Sequence, residues 1–370
     1  MKSKFKIRLA NDHDFDALVQ LEQEAFKSDR FNEDQIDYFL TSSRATNFIV
    51  EKNDETVGGA CLLWRKANPT ARLYNIAIRP KFQGQGVGLK LLKECELEAV
   101  YHGCNKLSLE VRTDNKQAIG LYQSLGYKTT RTVPAYYEDG TAAFKMSKEL
   151  HMKVPDHLKV AVPFYHQTLD FTCGPACLMM ALKYFYPKTE ITRALELTLW
   201  KESTLIFMAS GFGGTDGYGM AYSALSRKLE GNIVLSMDST PLLRSVRKSE
   251  KREVIKIVHA DLKKKAKALG LGSAFYDFDI DDIIAAMHRG YLPLVLISTY
   301  RLTGDRVPHW VVITGFDRDH IYLHDSDLDS YKKNHSKARH VKVEKARFLQ
   351  MTRYGKEVYR CLLLLKKKSK

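Results

Sequence analysis

A chain of 370 residues with 44% hydrophobic and 27% charged content is ordinarily globular and too long for one typical single-core domain. Its net charge of +15 is uneven: residues 1–150 hold 22 Lys and Arg against 20 Asp and Glu, so 13 of the excess positive charges lie in residues 151–370. The six cysteines, Cys61, Cys95, Cys104, Cys173, Cys177 and Cys361, lack the density of a disulfide scaffold and the paired spacing of a zinc site, which excludes both classes and implies a reducing compartment.

The first half alternates element types. A strand is expected over Lys4–Leu9, then helices over Phe15–Phe26 and Asp34–Leu40. Strands over Asn47–Glu51, Thr56–Trp64 and Leu73–Ile78 form a meander, with turn chemistry at Asn53–Asp54 and Ala67–Pro69. A helix over Gly88–His102, a strand over Lys106–Val111, a helix over Lys116–Leu125 and strands near Tyr127–Thr132 and Thr141–Lys145 close this half. The polar stretch His151–Lys159 reads as a linker, placing a boundary near residue 150 and domains over 1–150 and 151–370.

After it come a strand over Val160–Phe164, a helix over Gly174–Tyr186, a Gly-rich loop Gly211–Gly219 and a helix over Met220–Leu229. A long basic helical stretch precedes strands over Leu292–Ser298, Trp310–Phe316, His320–His324 and Val358–Leu364. The class is mixed α/β (α+β) in both halves. Basic clusters at Arg244–Arg252, Lys263–Lys267 and Lys366–Lys370 read as solvated faces or as an attraction for an acidic partner. No nucleic-acid recognition motif accompanies them. No apolar core and cleavage site follow Met1–Arg8 and no stretch has membrane-spanning length, so the chain reads as cytoplasmic, without a membrane partner.

The run Gln83-Gly84-Gln85-Gly86-Val87-Gly88 lies between an expected strand and an apolar-periodic helix. Glycines let the backbone approach closely, and N–H groups at a helix start attract a pyrophosphate. Taken alone, a Gly-rich turn is weak testimony. Here Ile76-Ala77-Ile78-Arg79-Pro80 precedes it, and Leu109-Glu110-Val111-Arg112, Asn115 through Ala118 to Leu121-Tyr122, and Gly126-Tyr127 follow in order. Together these resemble the GNAT acetyltransferases, and among them the RimI-like enzymes that acetylate the N-terminal alanine of a ribosomal protein. The resemblance implies a splayed mixed sheet and acetyl-CoA as donor, with its pyrophosphate on Gln83, Gly84, Gln85, Gly86, Val87 and Gly88. It also implies that Ile76 and Ile78 offer strand backbone groups and that Asn115 contacts the cofactor. Tyr122 would protonate the leaving thiolate, and Glu110, twelve residues earlier, would draw a proton from the amine, through water.

Gln167, Cys173, His309 and Asp325 form a second constellation. Cys173 stands where a loop meets a helix, so the helix dipole would enrich its thiolate. His309 opens a strand after Pro308 as a general base, Asp325 would orient its imidazole, and Gln167 could stabilise an oxyanion. Asp317, Asp327 and Asp329 compete with Asp325. A metal set of Cys173, Cys177 and His166 lacks a matching second pair, so no metal is expected.

The ordered set Val162-Pro163-Phe164-Tyr165-His166-Gln167, Cys173-Gly174-Pro175-Ala176-Cys177, His309-Trp310-Val311-Val312 and His324-Asp325-Ser326 resembles the bacteriocin-processing peptidases, papain-like enzymes that cut leader peptides after a double glycine. The resemblance implies a papain-like fold and a Cys-His-Asp mechanism. Residues Glu230–Leu269 read as an insertion, and Gly211–Gly219 as a loop lining the substrate groove. The sequence thus points to an acetyltransferase joined to a thiol peptidase acting on a peptide or small amine, with a silent substrate-presenting module or ribosome and nucleic-acid association as the rival readings.

Overall fold

The computed structural model describes residues 5–368 apart from 27, 54, 66–67, 208–211, 242, 244–245, 305–306 and 356–357. Lys4, Asp54, Ala67, Gly211, Arg244 and Lys370, which fall in segments named above, lie outside the described residues. The chain divides into two compact units, Met1–Val154 and Pro155–Lys370.

In the first unit β1 (Lys6–Leu9), β2 (Ala45–Lys52), β3 (Glu55–Leu63) and β4 (Thr70–Ile78) pair antiparallel in chain order. β5 (Lys106–Arg112) joins β4 in parallel, which requires a crossover. That crossover contains α3 (Val87–Tyr101), which buries Val87, Leu91, Leu92, Cys95 and Ala99, positions three and four apart. β7 (Ala143–Glu149) lies between β5 and the edge strand β6 (Lys128–Val133). Between β1 and β2 run α1 (Phe15–Ala25) and α2 (Glu33–Thr41), the latter started by a reciprocal Asn32–Gln35 capping box. α4 (Lys116–Ser124) connects β5 to β6.

One feature of this sheet positions a site. β4 and β5 pair only from Thr70↔Lys106 to Leu73↔Leu109. At Tyr74 a bulge shifts the β3–β4 register, and Asn75 to Ile78 continue along β3 with no β5 partner. The two central strands therefore part, leaving Ile76 and Ile78 on the open edge.

The second unit begins with β8 (Leu158–Lys159), α5 (Cys173–Phe185), α6 (Arg193–Ser203), α7 (Gly217–Leu225), β9 (Leu229–Leu235), α8 (Ser249–Ala268), β10 (Gly272–Phe275) and α9 (Ile280–His288). β11 (Leu292–Ser298), α10 (Tyr300–Thr303), β12 (Pro308–Phe316), β13 (His320–His324), α11 (His335–Ala338), β14 (Val341–Glu344), α12 (Lys345–Met351) and β15 (Cys361–Lys367) follow. The strands order β10-β9-β15-β11-β12-β13-β14, with β8 attached to β12. Side chains alternate between two cores, so both faces are covered. Leu294, Leu296, Trp310, Val312, Cys361 and Leu363 meet the helix layer containing α5 and α7, whereas Val295, Ile297, Val311, Ile313, Leu362 and Leu364 face the other way.

Several expectations need correction. Val160–Phe164 is not a strand: Val160 N–H bonds the Thr314 carbonyl and the Val162 carbonyl accepts from His324, so side chains and single bonds replace a ladder. Glu230–Leu235, the start of the stretch expected as an insertion, lies within β9, paired with β15 and β10. α7 starts at Gly217, drawing Gly217–Gly219 out of the expected loop, because Asp216 caps the helix there through the Tyr218 N–H. The last strand begins at Cys361, after Arg360 N–H bonds Ser236 Oγ.

Candidate active sites

In the first unit, Gly84 and Gly86 have φ of 74° and 75°, a region that disfavours any side chain, and Gly86 is the residue that starts α3. No side chain caps that helix start. The helix ladder begins with Lys90 N–H on Gly86 O, which leaves the N–H groups of Val87, Gly88 and Leu89 without an acceptor among the described residues. A Cβ at Gly84 or Gly86 would meet nothing within 4 Å, so the surface above the loop is open. Open N–H groups at a helix terminus beside parted strands fit a pyrophosphate-bearing cofactor. The side chains of Gln83 and Gln85 brace the loop instead, bonding Ile78 O at 3.0 Å and Lys81 O at 3.0 Å. Asn115 caps α4 by accepting from Ala118 N–H at 3.0 Å, leaving its amide hydrogens for other partners.

Tyr122 lies on α4, 5% exposed, with its ring 5.8 Å from that of Tyr127. Burial, with Tyr137 and Cys95 adding to it, pushes its phenol above the usual value, so it stays protonated at neutral pH. Glu110 sits on β5 with its side chain 10% exposed. Its Oε2 accepts from Arg72 Nε at 2.8 Å and its Oε1 lies 3.4 Å from Lys145 Nζ, the residue opposite it on β7. Arg72 also donates to Tyr136 Oη at 2.8 Å and covers the Tyr74 ring at 4.7 Å. Sequence reasoning missed Arg72 and Lys145, whose only signal is that β4 and β7 both flank β5.

In the second unit, α5 is apolar on all sides and buries ten consecutive residues from Cys173 to Leu182. It packs against β12, the strand that carries His309. Cys177, one turn beyond Cys173, donates its Sγ–H to Trp310 O at 3.3 Å, fastening helix and strand next to Cys173 and His309. Burial alone would raise the Cys173 thiol; His309 and the backbone N–H groups of Trp310 and Gly174 overcome it and hold the thiol below its ordinary value. Burial likewise disfavours the His309 cation, but Asp325 and the Cys173 thiolate outweigh it and raise the imidazole well above its ordinary value. Nε2 of His309 donates to Asp325 Oδ1 at 2.7 Å, so Nδ1 is the nitrogen left for Cys173. For Asp325 burial is again the largest influence, yet His309, the Asp327 N–H at 3.0 Å and the Tyr331 hydroxyl at 2.9 Å keep its carboxyl below the usual range.

Asp317 instead holds Tyr322 and His320, and Asp327 holds Ser330, so Asp325 is the carboxylate that meets His309. Gln167 is anchored beside it: its N–H bonds Ser326 O at 3.0 Å, Oε1 accepts from Ser326 Oγ at 2.8 Å and Nε2 donates to Leu169 O at 3.1 Å. One Nε2 hydrogen remains. Among the described residues no group of three His, Cys, Asp or Glu side chains is arranged to hold a metal ion, and His166 packs at 5.3 Å on the His335 ring. Tyr331 and the buried Glu196 were missed; Glu196 shares a helix face with Leu199 and Ser203, a charge at a core position.

Residues 15–127 match the acetyltransferase (GNAT) family, and residues 162–366 match the Peptidase_C39 like family. A Bacillus subtilis protein provisionally named ribosomal protein bS18-alanine N-acetyltransferase is 30% identical over 139 residues, covering 38% of this chain and 91% of that protein. An uncharacterized N-acetyltransferase of Methanocaldococcus jannaschii is 32% identical over 146 residues, covering 39% and 90%. The crystal structure of the ribosomal-protein-S18-alanine N-acetyltransferase from Escherichia coli shares 30% identity over 41% of this chain and 97% of that one, with a TM-score of 0.38. Among the described residues no helix is long and apolar enough to cross a membrane.

Proposed function

Since the chain belongs to the GNAT acetyltransferase family in its first half and to the Peptidase_C39 like family in its second, we propose that it is a bifunctional enzyme that acetylates a peptide N-terminus and hydrolyses a peptide or amide bond. Acetyl-CoA, when bound, supplies the acetyl group as a thioester. The N–H groups of Val87, Gly88 and Leu89 hold its pyrophosphate, and the edge of β4 at Ile76 and Ile78 aligns the acyl arm. Glu110, oriented by Arg72 and Lys145, receives the proton of the attacking amine through water, and Tyr122 gives its phenolic proton to the departing thiolate.

The hydrolase reading rests on one observation: a helix-start cysteine and a carboxylate-bound histidine meet, both buried, where α5 packs on β12, with thiol and imidazole shifted toward the thiolate–imidazolium pair. Cys173 Sγ attacks the carbonyl carbon while the carbonyl electron pair moves to oxygen, which Gln167 Nε2 and the α5 N–H groups receive. His309 Nδ1–H then protonates the leaving amine, and the neutral imidazole activates water to release the acyl group from sulfur. The 13 excess positive charges of residues 151–370 favour acidic peptides.

Hydrolysis frees an α-amine, the group that the first unit acetylates, so the two steps form a sequence. The test incubates a cell extract with acetyl-CoA and wild-type protein, Cys173→Ala or Tyr122→Phe, and reads peptides by mass spectrometry. Wild type yields cleaved, N-acetylated products and Tyr122→Phe yields cleaved peptides with free amines. Acetylation of the same intact substrate by Cys173→Ala would contradict the order of the two steps.

A further inference from the structure

We propose that Glu196 is the positioning residue that keeps the oxyanion-binding start of α5 open, an inference that rests on the thiol-hydrolase reading above. Glu196 lies in the first turn of α6 and is 0% exposed. A carboxylate so buried must be satisfied by donors, and it has four: Tyr165 Oη at 2.9 Å, Thr168 N at 2.8 Å, Thr168 Oγ1 at 2.8 Å and Thr172 Oγ1 at 2.5 Å. All four come from residues 165–172, the segment that carries Gln167 and delivers the chain to Cys173.

The bond from Thr172 matters most. Thr172 is the residue that starts α5, and a threonine there ordinarily accepts from the backbone N–H of the second or third helical residue. In α5 the third is Pro175, which has no N–H, so Gly174 N–H is the one partner available. Thr172 makes no such bond. Its hydroxyl donates to Glu196 or to Leu169 O at 2.8 Å and accepts from Leu169 N–H at 3.3 Å instead, and among the described residues the N–H groups of Cys173 and Gly174 bond no backbone carbonyl. Gly174 N–H instead reaches the Cys173 sulfur. Glu196 thus withholds the natural cap and leaves those N–H groups for sulfur and substrate oxygen. Its bonds to Tyr165 and Thr168 bracket Gln167, the other donor of the same hole.

Two probes separate this role from general support. N-Acetylglycinal adds to the Cys173 thiolate with formation of the Sγ–C bond, while the carbonyl electron pair moves to oxygen and His309 keeps its proton; the resulting oxyanion lies against the donors of the hole, so its affinity depends on them. Iodoacetamide alkylates the thiolate, releasing iodide, with no oxyanion. Glu196→Gln is expected to weaken aldehyde binding about tenfold or more, the effect of an impaired oxyanion donor, while the pH profile of alkylation stays as in wild type. Glu196→Ala frees the Thr172 hydroxyl to cap Gly174, so Glu196→Ala/Thr172→Val should bind the aldehyde several-fold more tightly than Glu196→Ala. Wild-type aldehyde affinity in Glu196→Gln would overturn the proposal. So would an equal loss of alkylation and aldehyde binding, or the lack of recovery in the double variant. A wild-type protein whose Cys173 forms no adduct would instead overturn the hydrolase reading on which this inference rests.

Discussion

His309 and Asp325 are joined by a 2.7 Å bond through Nε2, and both residues are almost fully buried, at 5% and 1% exposure. That contact fixes the tautomer and turns Nδ1 toward the start of α5, so the geometry of a strand and the loop that follows it determines which ring nitrogen serves Cys173. Tyr331 and the Asp327 N–H complete the carboxylate's partners and keep it from rotating away.

In the first unit, the open helix start makes acetyl-CoA binding measurable as thermal stabilisation, because a ligand that binds only the folded state stabilises by about 2.7 kcal/mol at a hundredfold excess over Kd. Gly88 has an ordinary φ and its Cβ would make ordinary contacts with Leu121 at 3.6 Å and Ile78 at 3.9 Å, so Gly88→Glu should fold normally. A carboxylate placed at this helix start should repel the pyrophosphate, and the acetyl-CoA shift in Tm should vanish. Differential scanning fluorimetry checks this; an undiminished shift would remove the helix start from the cofactor site.

Tyr122→Phe keeps the buried ring and removes the hydroxyl. We expect unchanged acetyl-CoA stabilisation and a fall in kcat of about 10²-fold or more, the range for a lost general acid. Steady-state kinetics with separate kcat and KM distinguish this from a packing defect, which would weaken both.

His324 provides a pH test of the second unit. It is 1% exposed; its Nε2 donates to Val162 O at 3.0 Å and its Nδ1 accepts from His340 N–H at 3.0 Å, so it is held neutral. Burial, and then the neighbouring positive charges, lower its pKa from 6.5 to about 4 despite the Val162 contact. With the folded value below the unfolded one, the unfolded state gains a proton first as pH falls. Stability present above pH 6.5 is therefore lost between 6.5 and 4, by roughly 3 kcal/mol in all. His324→Gln should lower stability at pH 7 but flatten this decline in denaturant unfolding. A parallel decline in the variant would assign the acid sensitivity elsewhere.

Much of the fold was legible because the relevant patterns are local. The helices carrying Tyr122 and Cys173 show apolar spacing and clear starts, and β11 and β13 have the bounds expected from their apolar runs. β9 was not legible because Leu229-Glu230-Gly231-Asn232 interrupts its apolar run, and its place is determined by β15, more than a hundred residues away. Val160–Phe164 has strand composition, yet its partner is a histidine side chain. At the sites, motif residues could be named, but Arg72 beside Glu110 and Glu196 beneath Thr172 depend on long-range contacts that no local spacing encodes.

The central claim, that Cys173 and His309 form a working thiolate–imidazolium pair, is tested most directly by iodoacetamide labelling of the native protein across pH 5 to 9, with each cysteine quantified by peptide mass spectrometry. A thiol held below its ordinary value by His309 stays reactive at mildly acidic pH, whereas burial raises Cys177, so Cys173 should label first and its advantage should collapse in His309→Ala. Equal labelling of Cys173 and Cys177, unchanged by His309→Ala, would contradict the account.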